Sequence, residues 1–169
     1  MKITKEWLKE KNSCREGYEW FLKHFGDEAD YQDVLDALAE ENLFEWAKWL
    51  LQNAGPTKEA KEIQGNIQSE KSLFFSGSIK ISGFINCKLL LAGGGIEAGG
   101  GIKAGWGIEA GGGIEAGEGI EAGEGIKAGE DFGIYVGLHI RISKKSKFAF
   151  VISKTKPKNI LLGEWRKEK

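Results

Sequence analysis

GGGIEAGGGIKAGWGIEAGGGIEAG, running from Gly93 to Gly117, decides the fold of this chain. Isoleucine recurs at positions 96, 102, 108, 114, 120 and 126, a strict period of six. Extending that register gives Phe84 and Leu90 before it and Phe132 and Leu138 after it, so ten consecutive hexads begin with a large apolar residue. Two places later stands alanine from Ala92 to Ala128, then Ile134 and Ile140, with Asn86 the exception. Residues two apart in extended chain project to the same side, so the large residue and its alanine predict an inward face. The residue between them, among them Glu97, Lys103, Glu109, Glu115, Glu121 and Lys127, must then face outward.

Glycine fills the fourth and sixth places of the central hexads, while the fifth varies among Gly100, Trp106, Gly112, Glu118 and Glu124. Glycine in extended chain costs about 0.5–1 kcal/mol relative to alanine, so its retention points to corners that need positive φ or tight stacking. A short strand and a corner every six residues describe a β-solenoid, in which each coil buries a ladder of Ile and Ala against the last. Three hexads per coil and two per coil both satisfy the pattern, as does either hand. Upstream, Ile79 and Ile85 set an offset register, which requires an irregularity between residues 85 and 91. Downstream, Ile140 and Ile142, then Phe148, Phe150 and Ile152, alternate as ordinary strands joined by a turn from Ser143 to Lys147 and are expected to close the stack.

The first sixty residues are punctuated as helices. Thr4 is expected to cap one helix, Ser13-x-x-Glu16 to form a capping box for a second, Asp30 to cap a third and Asn42-x-x-Glu45 to open a fourth. Gly26 and Gly55-Pro56 supply stops. Four of the six tryptophans, Trp7, Trp20, Trp46 and Trp49, lie here and are expected to fill a small core. The fold class is therefore α+β: a short-helix bundle over 1–62 capping a β-solenoid of six-residue repeats over 63–143, with closing strands and a basic tail over 144–169.

Charge is segregated along the 169 residues although the net formal charge is only −1. Residues 93–131 carry eight acidic and two basic side chains, and 132–169 carry ten basic and two acidic ones. Nothing in that total favours nucleic acid or anionic membrane overall. The longest purely apolar run, Leu89 to Ala92, is far short of a membrane span, and the N-terminal residues carry no apolar stretch of a secretory signal, so a cytoplasmic location is expected. Cys14 and Cys87 form neither a disulfide framework nor a four-ligand zinc site, and no metal or cofactor is expected. His139, between Leu138 and Ile140, is the one histidine on the hexads and by the alternation faces outward, so no catalytic residue is assigned.

Two charged surfaces are candidates for partner binding. Glu115, Glu118, Glu121 and Glu124, with Trp106 nearby, form an acidic face able to occupy a basic groove on a partner protein. Arg141, Lys144, Lys145 and Lys147 form a basic segment able to contact nucleic acid, or serving as solvated lysine on an edge strand.

The prefix KITKEWLKEKNSCREGYEWFLKHF followed by GIEAGGGIKAGWGIEAG resembles a set of small phage and prophage proteins that join a helical prefix to Gly-Ile-x-Ala-Gly repeats. That likeness implies no established activity; a non-enzymatic, macromolecule-binding protein is expected, and on the phage likeness the leading specific expectation is an inhibitor of a host defence nuclease or CRISPR complex in the host cytoplasm. SGSIKISGFI is similar to bactofilin-type proteins, which implies instead a self-assembling homo-oligomer. The hexad also resembles left-handed β-helix enzymes, many of them acyltransferases that use a histidine, the third functional class.

Overall fold

In the computed structural model the described residues are 1–140, 144, 147 and 149–168. Strand β1 (Lys2–Thr4) leads directly into helix α1 (Lys5–Glu10), followed by α2 (Arg15–Phe25), β2 (Glu28–Asp30), α3 (Tyr31–Glu40) and α4 (Phe44–Ala54). Thr4 caps α1 as expected, its hydroxyl accepting from the Trp7 amide at 3.2 Å. The other starts differ from expectation. Cys14, not Ser13, caps α2, its Sγ accepting from the Gly17 amide at 3.3 Å. Asp30 sits at the start of α3 but makes no side-chain cap, because Lys2 holds its carboxylate at 3.2 Å. Asn42 does not open α4. It takes a positive φ of 56° and lets the Leu43 amide return to the Leu38 carbonyl, closing α3. The pairing of β1 with β2, antiparallel from Lys2↔Asp30 to Thr4↔Glu28, joins the start of the chain to the turn before α3.

From residue 60 the chain winds as a parallel solenoid with three strands per coil. The first coil holds β3 (Ala60–Ile63), β4 (Ile67–Gln68) and β5 (Leu73–Phe75); the second β6 (Ser78–Ile81), β7 (Ile85–Cys87) and β8 (Leu90–Ala92). The third holds β9 (Ile96–Ala98), β10 (Ile102–Ala104) and β11 (Ile108–Ala110), and the fourth β12 (Ile114–Ala116), β13 (Ile120–Ala122) and β14 (Ile126–Lys127). Then come β15 (Ile134–Val136), β16 (Phe150–Ser153), β17 (Ile160–Leu162) and β18 (Glu164–Lys167). Sheet 1 stacks β3, β6, β9, β12, β15 and β17; sheet 2 stacks β4, β7, β10, β13, β16 and β18; sheet 3 stacks β5, β8, β11 and β14. Registers such as Ile102↔Ile120 and Ile96↔Ile114 put residues eighteen apart directly over one another. Isoleucine and alanine of every central strand are buried, forming one core from Phe75 to Val151.

The hexads are interrupted twice; of the four apolar residues that appeared to extend them, Leu90 is buried in the core and the other three face outward. Phe84, Phe132 and Leu138, expected inside, are 40%, 52% and 45% exposed; Ile85 and Ile134 take the core places instead. The corner between β7 and β8 has only Lys88 and Leu89, one residue fewer than usual, which reconciles the register of Ile79 and Ile85 with that of Leu90. The corner after β14 runs from Gly129 to Gly133, two residues longer, so Ile114 pairs with Ile134 rather than with Phe132.

Most repeat glycines are required by stacking rather than by positive φ, which among the glycines appears only at 26, 55, 65, 137 and 163. At the fourth hexad place a Cβ on Gly99, Gly111, Gly117, Gly123 or Gly129 would overlap the carbonyl oxygen of the residue below it in the stack. At the sixth place the space is larger: a Cβ on Gly101 or Gly107 would lie 3.1 or 3.4 Å from the oxygen of the coil above.

The strands expected to close the stack instead continue it, with Val151 over Ile120 in sheet 2 and Ile160 over Ile134 in sheet 1. Of the expected turn from Ser143 to Lys147, residues 143, 145 and 146 lie outside the described residues, as do Ile142 and Phe148; Ile140 packs against the core. The helices cap the solenoid at its other end and along one side. Phe74 and Leu91, on the outward side of sheet 3, and Leu89, on the corner before β8, are buried in the same apolar cluster as α3 and α4. Gln32 of α3 completes the open edge of β5. Its Nε2 donates to the Phe74 carbonyl at 2.8 Å and its Oε1 accepts from the Ser76 amide at 3.0 Å, the two bonds a neighbouring strand would make. Among the described residues no helix is long and apolar enough to cross a membrane.

Candidate functional site

A coil of eighteen residues turns successive hexads onto different sides, so the expected acidic face is not one surface. Glu115 projects from sheet 1 and Glu121 from sheet 2; Glu118 lies on the corner between those sheets, and Glu124 with Trp106 on the next. The physical reason is that carboxylates share a side at intervals of eighteen residues, not three or six. Two of the four are also paired: Glu121 with Lys103 at 2.8 Å and Glu124 with Lys154 at 2.5 Å. The hydrogen bond to Glu124 is the foremost cause that holds the Lys154 ammonium above the ordinary lysine range. Trp106 is 55% exposed and covered on one side by the Lys88 ammonium, 5.0 Å from the ring centre.

The basic segment lies in the connection between β15 and β16, where three corner residues are replaced by residues 137–149. Lys144 and Lys147 are exposed there, and Arg141 and Lys145 lie outside the described residues. His139 is exposed, with Nδ1 2.9 Å from the Gly99 carbonyl oxygen on the glycine corner two coils below.

Two grooves bring together residues that linear spacing does not. The first lies in the helical domain, about 600 Å³, with a floor of Leu8, Phe21 and Leu38 and walls of Trp20, Trp46 and Trp49. These tryptophans are half-buried rather than sealed in a core, and they are braced by edge-on ring contacts: Trp20 with Trp46 at 6.0 Å and Trp7 with Trp49 at 6.1 Å. Trp20 is held further by Glu41, which accepts from its Nε1 at 3.0 Å and faces His24 Nε2 at 2.9 Å.

The second groove, about 640 Å³, crosses sheet 1 from Ala60 to Leu161. Its floor is the outward ladder Lys80, Glu97, Glu115 and Tyr135, and its wall is the lengthened corner bearing Glu130, Asp131 and Phe132. Lys80 binds Glu97 at 2.9 Å, and that hydrogen bond, joined by the charges of Glu97, Glu62 and Glu115, keeps its ammonium above the ordinary lysine range. The groove escaped sequence reasoning because Phe132 kept the six-residue period while facing outward. The only sequence signal was Glu130-Asp131 where the hexads otherwise have glycine or a single acid.

Comparison with known families matches residues 1–55 to the family described as YdhT N-terminal domain. That segment ends at Gly55, the C-cap of α4, so it coincides with the helical part and leaves the solenoid outside the match. Neither the curated proteins nor the solved structures contain a match to the chain.

Proposed function

We propose that this chain is a non-enzymatic binding protein of fixed length, whose solenoid holds a helical domain rigidly and presents its sides to a macromolecular partner. The observation that carries it is Lys61. In sheet 1 Lys61 pairs with Ile79, so it occupies a core place on the first strand, and its ammonium lies 5.4 Å from the ring centre of Phe75. An inward-pointing charge on an edge strand opposes the docking of another strand, because that strand would bury the charge. The opposite end is blunted too. Trp165 takes the core place over Val151 and donates from Nε1 to the buried Ser153 hydroxyl at 3.2 Å. Pro157, buried after β16, has no amide to offer a further strand. Terminal repeats that differ from the interior are what a discrete solenoid needs.

These features favour binding over end-to-end polymerisation, the main alternative. A host macromolecular complex is the partner class implied by the likeness to phage proteins. Light scattering over a wide concentration range tests the proposal: a constant monomer or dimer is expected, and concentration-dependent filaments would overturn it. Lys61→Ile should favour head-to-tail association, since it restores an apolar edge; a variant that remains as discrete as the wild type removes Lys61 from the account.

A further inference from the structure

The three sides of the stack offer different chemistry. Sheet 3 lies under the helices, and Lys48 of α4 reaches Glu109 on β11 at 3.0 Å. The outward ladder of sheet 2 satisfies itself, with Asn86 donating to Gln68 at 3.2 Å and Lys103 paired with Glu121. Sheet 1 carries the 640 Å³ groove, and along it the exposed apolar residues Phe132 and Leu161, 52% and 64% exposed, flank Tyr135. Apolar side chains held out in this way mark interaction surfaces, and insertions in a repeat tend to collect on the binding side.

The wall of the groove is fixed in place. Asn159 Nδ2 donates to the carbonyls of both Glu130 and Phe132 at 3.1 Å, while the Asn159 carbonyl accepts from the Ile134 amide at 2.9 Å. Phe132 is therefore presented by a braced corner. Charge then selects the occupant. Glu97 is committed to Lys80, whereas Glu115, Glu130 and Asp131 have no ion pair among the described residues.

We infer that this groove docks an extended, lysine- or arginine-bearing segment of another protein, its apolar side chains against Phe132, Tyr135 and Leu161 and its cations facing Glu115, Glu130 and Asp131. Six strands at about 4.8 Å spacing give a floor of about 24 Å, and at about 3.3 Å per residue an extended segment of about seven residues fills it. The inference rests on the proposal that the sides of the solenoid, not its ends, do the binding.

Fluorescence anisotropy with a labelled peptide of about seven residues, alternating lysine with leucine and phenylalanine, tests it on the full chain. The peptide should bind, weaken as salt rises, and bind far better than its counterpart with glutamate for lysine. Reversing Glu130 and Asp131 to Lys should weaken binding at least about tenfold, and Phe132→Ser should do the same without the charge change. Glu121→Lys on sheet 2 should leave binding unchanged, and circular-dichroism melts establish that each variant folds. Equal affinity for the lysine and glutamate peptides, or undiminished binding by the folded groove variants, would overturn the inference. So would tight binding of single-stranded DNA with none of the peptide. A chain that stays discrete but ignores the peptide overturns this inference alone, whereas filaments of the wild type overturn the proposal beneath it.

Discussion

Gly117 and Gly101 occupy different places of the hexad and should respond differently to the same methyl group. A Cβ at Gly117 would overlap the Gly99 carbonyl oxygen, whereas at Gly101 it would stand 3.1 Å from the Gly119 oxygen. Gly117→Ala should therefore lower the denaturation midpoint sharply and Gly101→Ala only slightly; equal effects would count against steric stacking as the reason for glycine. Ile114 is fully buried between Ile96 and Ile134, so Ile114→Ala should cost about 2–5 kcal/mol in chemical denaturation. Cys87 takes an alanine place in the core, and burial pushes its thiol up to about 12. Since the folded value is raised above the ordinary thiol value of 9.0, the contribution to stability is complete below pH 9 and is lost as pH climbs toward 12. Cys87→Ala should flatten that alkaline decline, and alkylation at pH 8 should modify the exposed Cys14 well before Cys87.

Among the elements, Gln32 joins the two halves of the chain. Removing its amide leaves the Phe74 carbonyl and the Ser76 amide on a half-buried edge without partners, at a cost of about 1–3 kcal/mol. Gln32→Ala should therefore speed hydrogen exchange at Ser76 more than at Ala122 in the core of sheet 2; unchanged exchange at Ser76 would show that the helices hold β5 by apolar contact alone. The sequence carried the central strands because Ile and Ala repeat with every coil, and it carried Thr4, Gly26 and Gly55 because caps depend on nearby atoms. It did not carry β1 and β2, whose three-residue strands have no periodicity to detect and whose pairing spans residues 2 to 30. Nor did it place the short corner at Lys88 and Leu89, since apolar residues at 89, 90 and 91 satisfy either register. The groove on sheet 1 was hidden for a related reason: its residues, from Ala60 to Leu161, become neighbours only once the number of strands per coil is known.

At the scale of the whole molecule, irregularities in a uniform stack fix where things happen. The short corner leaves Leu89 beside the helices, the long corner raises Phe132 over sheet 1, and the insertion after β15 carries the lysines. Deleting Glu130 and Asp131 to restore a three-residue corner should keep the fold while removing the peptide-binding wall, a combination that melting curves and anisotropy read separately. The edge supplied by Gln32 has a consequence in time as well. In the central coils each rung bonds to rungs about eighteen residues away, so a helical domain that precedes the solenoid along the chain offers an edge on which the first coil can settle and each later coil in turn.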